Sequence, residues 1–172
     1  MKVFLTGFMG AGKTTVGELL AARLGAPFVD LDREVESQSG RTVSDLFAGL
    51  GEPEFRRLES AALAAAARRP GDCVVAAGGG TFTDPASLEL ARSAGLVVWL
   101  NPPFAEIARR IGALGKPDRP LFRDELAAFD LYRSRLSAYR LADLVLDVAA
   151  GETPQESVAR LALRLAELRC ST

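Results

Sequence analysis

Eight residues near the N-terminus have the types and spacing that hold a polyphosphate. Gly7, Phe8, Met9, Gly10, Ala11, Gly12, Lys13 and Thr14 fit the pattern G-x-x-x-x-G-K-[ST]. The glycines let backbone N–H groups turn inward around phosphate oxygens with no Cβ in the way. Lys13 can bring a positive charge to the outer phosphates, and the Thr14 hydroxyl can ligate Mg²⁺. The pattern follows the apolar run Val3–Leu5 and opens a helical pattern over Lys13–Leu24. Its donors therefore add to the positive end of a helix dipole. Gly10, Ala11, Gly12, Lys13, Thr14 and Thr15 are the expected nucleotide-binding residues. The competing reading, a glycine-rich turn that binds nothing, does not account for the strand before it and the helix after it.

A second pair of reactive side chains, Asp30 and Asp32, falls at the end of the apolar run Phe28–Leu31. Two residues apart on extended backbone, they would point the same way. In an open α/β sheet, ligands bind beyond the carboxyl ends of strands. One carboxylate could hold Mg²⁺ through water while the other bonds a substrate hydroxyl and accepts its proton. Alternatively, Asp32 caps a helix starting at Arg33. The chain has no histidine, which excludes Ser-His and Cys-His nucleophilic mechanisms and leaves acid–base work to carboxylates. Its two cysteines, Cys73 in an apolar run and Cys170 in the C-terminal tail, make neither a CxxC pair nor a zinc site.

Other features narrow the class of nucleotide protein. The guanine-reading N-K-x-D and the D-x-x-G of GTPase switches are both missing. The apolar run Cys73–Ala77 leads into Gly78-Gly79-Gly80, where a motor ATPase would carry an acid. Gly112–Arg123 holds two glycines and two prolines between two helical patterns; a loop of that kind in a compact chain is either disordered or functional, and it reads here as a functional lid. Together these point to a kinase of a small molecule or a nucleotide.

The elements that must position these residues are visible as alternating runs. Val3–Leu5, Phe28–Leu31, Cys73–Ala77, Leu96–Leu100 and Leu144–Val148 are short and mostly apolar, as strands covered on both faces should be. Between them lie helix signals: Gly25 as a stop after Leu24, Thr42 with Asp45, Asp84-Pro85 with Gly95 as a stop, and the capping box Thr153-Pro154-Gln155-Glu156. The expectation is an α/β domain of three layers, α/β/α, around a short parallel sheet of about five strands. The 172 residues suit one domain, and 48% apolar with 25% charged residues is ordinary for a water-soluble fold. A net charge of −1 gives no field to attract nucleic acid or an anionic membrane, so an anionic ligand would need local arginines. The phosphate-binding pattern begins so soon after Met1 that a leader is not expected, and the default location is the cytoplasm, whose reducing conditions suit both thiols.

At the level of whole motifs the chain resembles shikimate kinase. The resemblance is carried by GFMGAGKTTVG, VDLD, the stretch Gly51-Glu52-Pro53-Glu54-Phe55-Arg56, Gly78-Gly79-Gly80, Arg119-Pro120-Leu121, and Arg135 with Tyr139. It implies a P-loop kinase fold with a substrate-binding helical segment at about residues 33–61 and a mobile lid at about 112–124. It also implies transfer of the ATP γ-phosphoryl group to the 3-hydroxyl of shikimate, by a monomer whose partners are these two small molecules. Under it, Arg56 and Arg135 bind the substrate carboxylate, Asp32 takes the 3-hydroxyl, and Gly78, Gly79 and Gly80 donate from the backbone. Asp30 reaches Mg²⁺ through water, and Arg119 is the lid arginine over the phosphates. From residue types alone, Arg56 is not separable from Arg57, nor Arg135 from Arg133 and Arg140; the spacing to Tyr139 selects Arg135. The chain departs from the family in having Ser137 where proline is usual, and Glu152 where many members place an arginine against adenine. Arg110 is then the candidate for stacking on the base. Another polyol acid or a nucleotide as acceptor, and a nucleotide-binding protein without catalysis, are the competing readings.

Overall fold

The computed structural model describes residues 1–114 and 124–170. Five strands form one parallel sheet: β1 (Lys2–Thr6), β2 (Phe28–Asp30), β3 (Cys73–Ala76), β4 (Gly95–Asn101) and β5 (Leu144–Asp147), in the order β2-β3-β1-β4-β5. Among the described residues, seven α-helices cover it: α1 (Lys13–Leu24), α2 (Leu31–Ser39), α3 (Val43–Arg68), α4 (Pro85–Ala94), α5 (Phe104–Leu114), α6 (Glu125–Tyr139) and α7 (Pro154–Cys170).

Alternation along the strands divides the core into two faces. Phe4, Val75 and Val97 pack with Val35, Leu46, Leu63 and Leu88 from α2, α3 and α4. Val3, Leu5, Val98 and Leu100 pack with Val16, Leu20, Leu161 and Leu165 from α1 and α7. A third cluster, including Phe8, Trp99, Ile107, Ile111 and Tyr139, ties the loop after β1 to α5 and α6. The result is the three-layer α/β/α sandwich.

The helix ends follow from local chemistry. Asp84 accepts from the N–H groups of Ala86 and Ser87, and Pro85 supplies a first-turn residue with no donor to waste. Thr42 and Asp45 cap α3 through Asp45 N–H to Thr42 Oγ1, at 3.1 Å. Within α3, Gly51 adopts φ 79°, ψ 168°, which breaks the helix in two just before Glu52. Thr153 and Glu156 close the box that opens α7. Cys170 is the last residue of that helix and is exposed, so the helix extends further into the tail than its composition suggests.

One expectation is corrected here. Asp30 and Asp32 do not share an extended backbone, because β2 stops at Asp30 and α2 begins at Leu31. Asp30 is the cap: its Oδ1 accepts from the N–H groups of Asp32 at 3.1 Å and Arg33 at 3.4 Å. Asp32 lies in the first helical turn, and no helix starts at Arg33. Satisfying two orphan donors with one carboxylate is worth about 1 kcal/mol and ends so short a strand early.

Candidate active site

β1 lies at the point where the sheet turns in opposite directions, toward β3 on one side and β4 on the other. Such switch points leave a crevice beyond the strand ends. A cleft of about 680 Å³ occupies it, and Gly10–Val16, Asp30, Asp32, Gly79, Arg110 and Glu152 are among its lining residues.

The phosphate loop begins as β1 ends. Gly12 (φ 97°) is the residue from which α1 starts, a conformation in which a side chain would be strained. Ala11 N–H bonds the Phe8 carbonyl at 3.0 Å, closing the turn. Lys13 Nζ donates to the carbonyls of Gly7 at 2.8 Å and Phe8 at 3.2 Å, so its ammonium arches back over the loop. The Thr14 hydroxyl donates to Asp30 Oδ2 at 2.8 Å. Asp30 therefore serves two groups at once, the start of α2 through one oxygen and Thr14 through the other.

Asp32 sits deeper. Burial pushes its carboxyl up from 3.8 to about 6; Lys13 opposes the rise, while Glu59, Asp30 and Glu36 reinforce it. A carboxylate in this range is still ionised at neutral pH and more basic than an exposed one, the condition for accepting a hydroxyl proton.

The triple glycine after β3 runs between two arginines. A Cβ on Gly80 would overlap the Arg56 guanidinium, and one on Gly79 would lie 3.3 Å from Arg135 Nη1 and 3.3 Å from Met9 N. The phosphate loop and both arginines thus converge on the glycine turn, where a Cβ at Gly80 would displace the Arg56 guanidinium. Arg135 is 6% exposed, with its guanidinium 5.9 Å from the Phe8 ring centroid. Tyr139, one turn further along α6, donates to the Gly79 carbonyl at 2.6 Å. The arginines that could not be separated by residue type now differ. Arg57 is 65% exposed and paired with Glu54, and Arg133 and Arg140 are exposed.

Two further members of the site are not among the sequence candidates. Glu59 is 2% exposed and accepts from Arg56 Nη1 at 2.7 Å and from the Thr81 hydroxyl at 2.6 Å. A Cβ on Gly78 would overlap its Oε1. Burial alone would lower the Arg56 guanidinium, and Glu59 with Glu52 outweighs it, leaving that group raised. The available signals were the i, i+3 spacing of Arg56 and Glu59 on one helix and the threonine directly after the triple glycine.

At the other end of the cleft, Arg110 Nη1 reaches the Ala11 carbonyl at 3.4 Å. Glu152 accepts from Ala149 N–H at 2.8 Å, the Ser157 hydroxyl at 2.8 Å and Arg160 Nη1 at 2.7 Å. Glu152 thus braces the loop between β5 and α7. Arg119 and most of the expected lid lie outside the described residues.

The chain is similar to known proteins over most of its length. Residues 9–166 match the shikimate kinase family. A shikimate kinase of Synechococcus elongatus is 39% identical over 166 residues, spanning 94% of this chain and 84% of that one. The crystal structure of shikimate kinase from Aquifex aeolicus superposes with a TM-score of 0.82 at 32% identity, covering 100% of both chains. Shikimate kinase from Acinetobacter baumannii in complex with shikimate superposes with a TM-score of 0.87 at 34% identity, covering 96% of this chain and 93% of that one.

Proposed function

The chain belongs to the shikimate kinase family, and on that premise we propose how its residues transfer the γ-phosphoryl group of ATP to the 3-hydroxyl of shikimate, giving shikimate 3-phosphate and ADP. The observation that carries the reading is the convergence at Gly79, which lies against both Arg135 and the backbone of the phosphate loop. An acid docked on the arginines is thereby held beside the nucleotide's outer phosphates. Bringing acceptor and donor into register is most of the catalysis in phosphoryl transfer, whose transition state is loose.

Shikimate offers one carboxylate and three hydroxyls. Arg56 and Arg135 take the carboxylate, with the planar fork geometry that a lysine could not supply. Backbone groups of Gly78, Gly79 and Gly80 hold the ring, and Asp32 binds the 3-hydroxyl and accepts its proton as the bond to phosphorus forms. The N–H groups of Gly10, Ala11, Gly12, Lys13, Thr14 and Thr15 hold the phosphates, and Lys13 offsets charge on the migrating group. Arg110 stacks on the base. Arg119, assigned by the family motif alone, completes the charge clamp from a lid at about 112–124, and residues 33–61 form the acid-binding segment.

Mg²⁺ fits the donor set. The Thr14 hydroxyl and the Asp30 carboxylate are adjacent oxygens, and one or two protein oxygens with phosphates and water satisfy this cation. When bound it supplies charge neutralisation on the phosphates; Thr14 would contact it directly and Asp30 through water. No helix among the described residues is long and apolar enough to cross a membrane. The enzyme would act in the cytoplasm as a monomer on two small-molecule substrates.

The test is ADP release from Mg-ATP measured with shikimate, gluconate or AMP as acceptor. Stimulation by shikimate alone supports the assignment. Stimulation by another acceptor, or by none with ATP binding intact, would leave the phosphate loop in place and remove shikimate.

A further inference from the structure

Arg56 is already engaged on both sides. Its Nη1 is held by Glu59, while Nε and Nη2 both donate to a single oxygen, Oε1 of Glu52, at 3.2 and 2.9 Å. A guanidinium offers a carboxylate two forks, Nε with Nη2 and Nη1 with Nη2. Glu52 closes the first and Glu59 takes half of the second. Two carboxylates around one guanidinium also cancel the charge that Arg56 offers an incoming acid.

We propose that Glu52 is a built-in competitor for the substrate carboxylate, holding the Nε/Nη2 fork of Arg56 and giving it up when shikimate binds. This rests on the reading of Arg56 as a carboxylate-binding arginine. Of the two acids, only Glu52 can yield. Glu59 is 2% exposed and fixed by the Thr81 hydroxyl, so releasing it would strand a buried charge. Glu52 is 53% exposed, and among the described residues it bonds Arg56 alone. It also follows Gly51, the break in α3, where the chain restarts its helix. Swinging into water leaves Glu52 fully solvated. Binding is therefore an exchange of one carboxylate for another: the arginine stays aligned throughout, and shikimate affinity is lower than the bare arginine would give. An acid that makes only the carboxylate contact gains little from the exchange, whereas one that also reaches the glycine turn and Asp32 gains from those additional contacts.

The test compares wild type with Glu52→Gln and Glu52→Asp, using shikimate titration calorimetry and steady-state kinetics. Removing the charge should tighten shikimate binding and lower its KM by about fivefold, the scale of a partly exposed ion pair. The KM for ATP should not change, and kcat should stay within about twofold. Glu52→Asp, which keeps the charge, should remain nearer to wild type. Salt gives a readout that a structural role would not move. At Arg56 wild type exchanges one ion pair for another, which is nearly salt-neutral, whereas Glu52→Gln forms a net new pair there, so the variant's affinity should fall more steeply than that of wild type as the screening length shortens from about 10 to 3 Å. Unchanged or weaker shikimate binding in Glu52→Gln, beside an active wild type, would overturn the inference alone. A wild type with no shikimate-dependent turnover would overturn the functional reading and this inference with it.

Discussion

The Tyr139 hydroxyl donates a 2.6 Å hydrogen bond to the Gly79 carbonyl, joining the helix that carries Arg135 to the glycine turn that faces the phosphate loop. Tyr139 is 2% exposed, and burial pushes its phenol up to about 12, so it remains a donor at any pH used for assay. Tyr139→Phe removes the tie and keeps the ring. Losing one hydrogen bond from a buried carbonyl costs about 1–2 kcal/mol. The expected result is a raised shikimate KM, by at most about 30-fold if the whole cost falls on the acid site, with the ATP KM unchanged. Steady-state kinetics with each substrate varied in turn would show it, and equal rises in both would refute the placement.

Arg135 should be the costliest side chain to remove from the acid site. It is 6% exposed, whereas the side chain of Arg56 is 27% exposed. Arg135→Ala should weaken shikimate binding by about 2–5 kcal/mol, the range for one partner of a desolvated charge pair. Nucleotide binding should be untouched. The exposed Arg133, as Arg133→Ala, is the control and should bind shikimate normally; calorimetry on both variants decides it.

Asp32→Asn should lower turnover and raise stability together. The Asp32 carboxyl is raised from 3.8 to about 6 in the folded chain, chiefly by burial. An acid raised on folding holds its proton more tightly in the native state, so the contribution it makes when protonated is present below about pH 4. It is lost as pH climbs through about 6. The lost amount is about 2–3 kcal/mol. The asparagine, never charged, keeps that contribution. In EDTA and without nucleotide, its Tm should exceed that of wild type at pH 8 and match it near pH 4. A constant difference across the range would mean that Asp32 is not desolvated.

Gly78 and Gly80 should respond differently to the same added methyl. At Gly80 the obstacle is the guanidinium end of Arg56, which can pivot about its bond to Glu59 once the exposed Glu52 lets go. Gly80→Ala should fold with near-normal Tm and lose shikimate affinity. At Gly78 the obstacle is Glu59, held by Thr81 and Arg56, so Gly78→Ala should lose about 1–3 kcal/mol of stability as an overpacked site does. Thermal melts beside shikimate titrations separate the two, and similar melts would show that Glu59 is not fixed.

What could be read in advance divides along physical lines. The phosphate loop was legible because its residues, the strand before it and the helix after it are contiguous. The five strands were legible because both their faces are covered and their residues are almost all apolar. The Asp30–Asp32 geometry was misread because a three-residue strand has little hold on the backbone, and a cap that satisfies two donors overrides it. Glu59 was not legible because Glu52, Glu54, Arg56, Arg57 and Glu59 look like one solvated, charged helical stretch. Its burial depends on Thr81, 22 residues away, and on the glycine turn closing over it. The difference between Arg56 and Arg57 likewise exists only once the helix is packed.

Under the proposed mechanism the acid site places the 3-hydroxyl of shikimate against Asp32 and in line with the outer phosphate of ATP. Its most direct test is the position of the phosphate in the product, read by ³¹P–¹H correlation NMR after incubating the protein with Mg-ATP and shikimate. The expected result is one phosphorylated product, coupled to the proton on C3, and its near disappearance in Asp32→Asn. Phosphate on another hydroxyl, or an undiminished yield from Asp32→Asn, would contradict it.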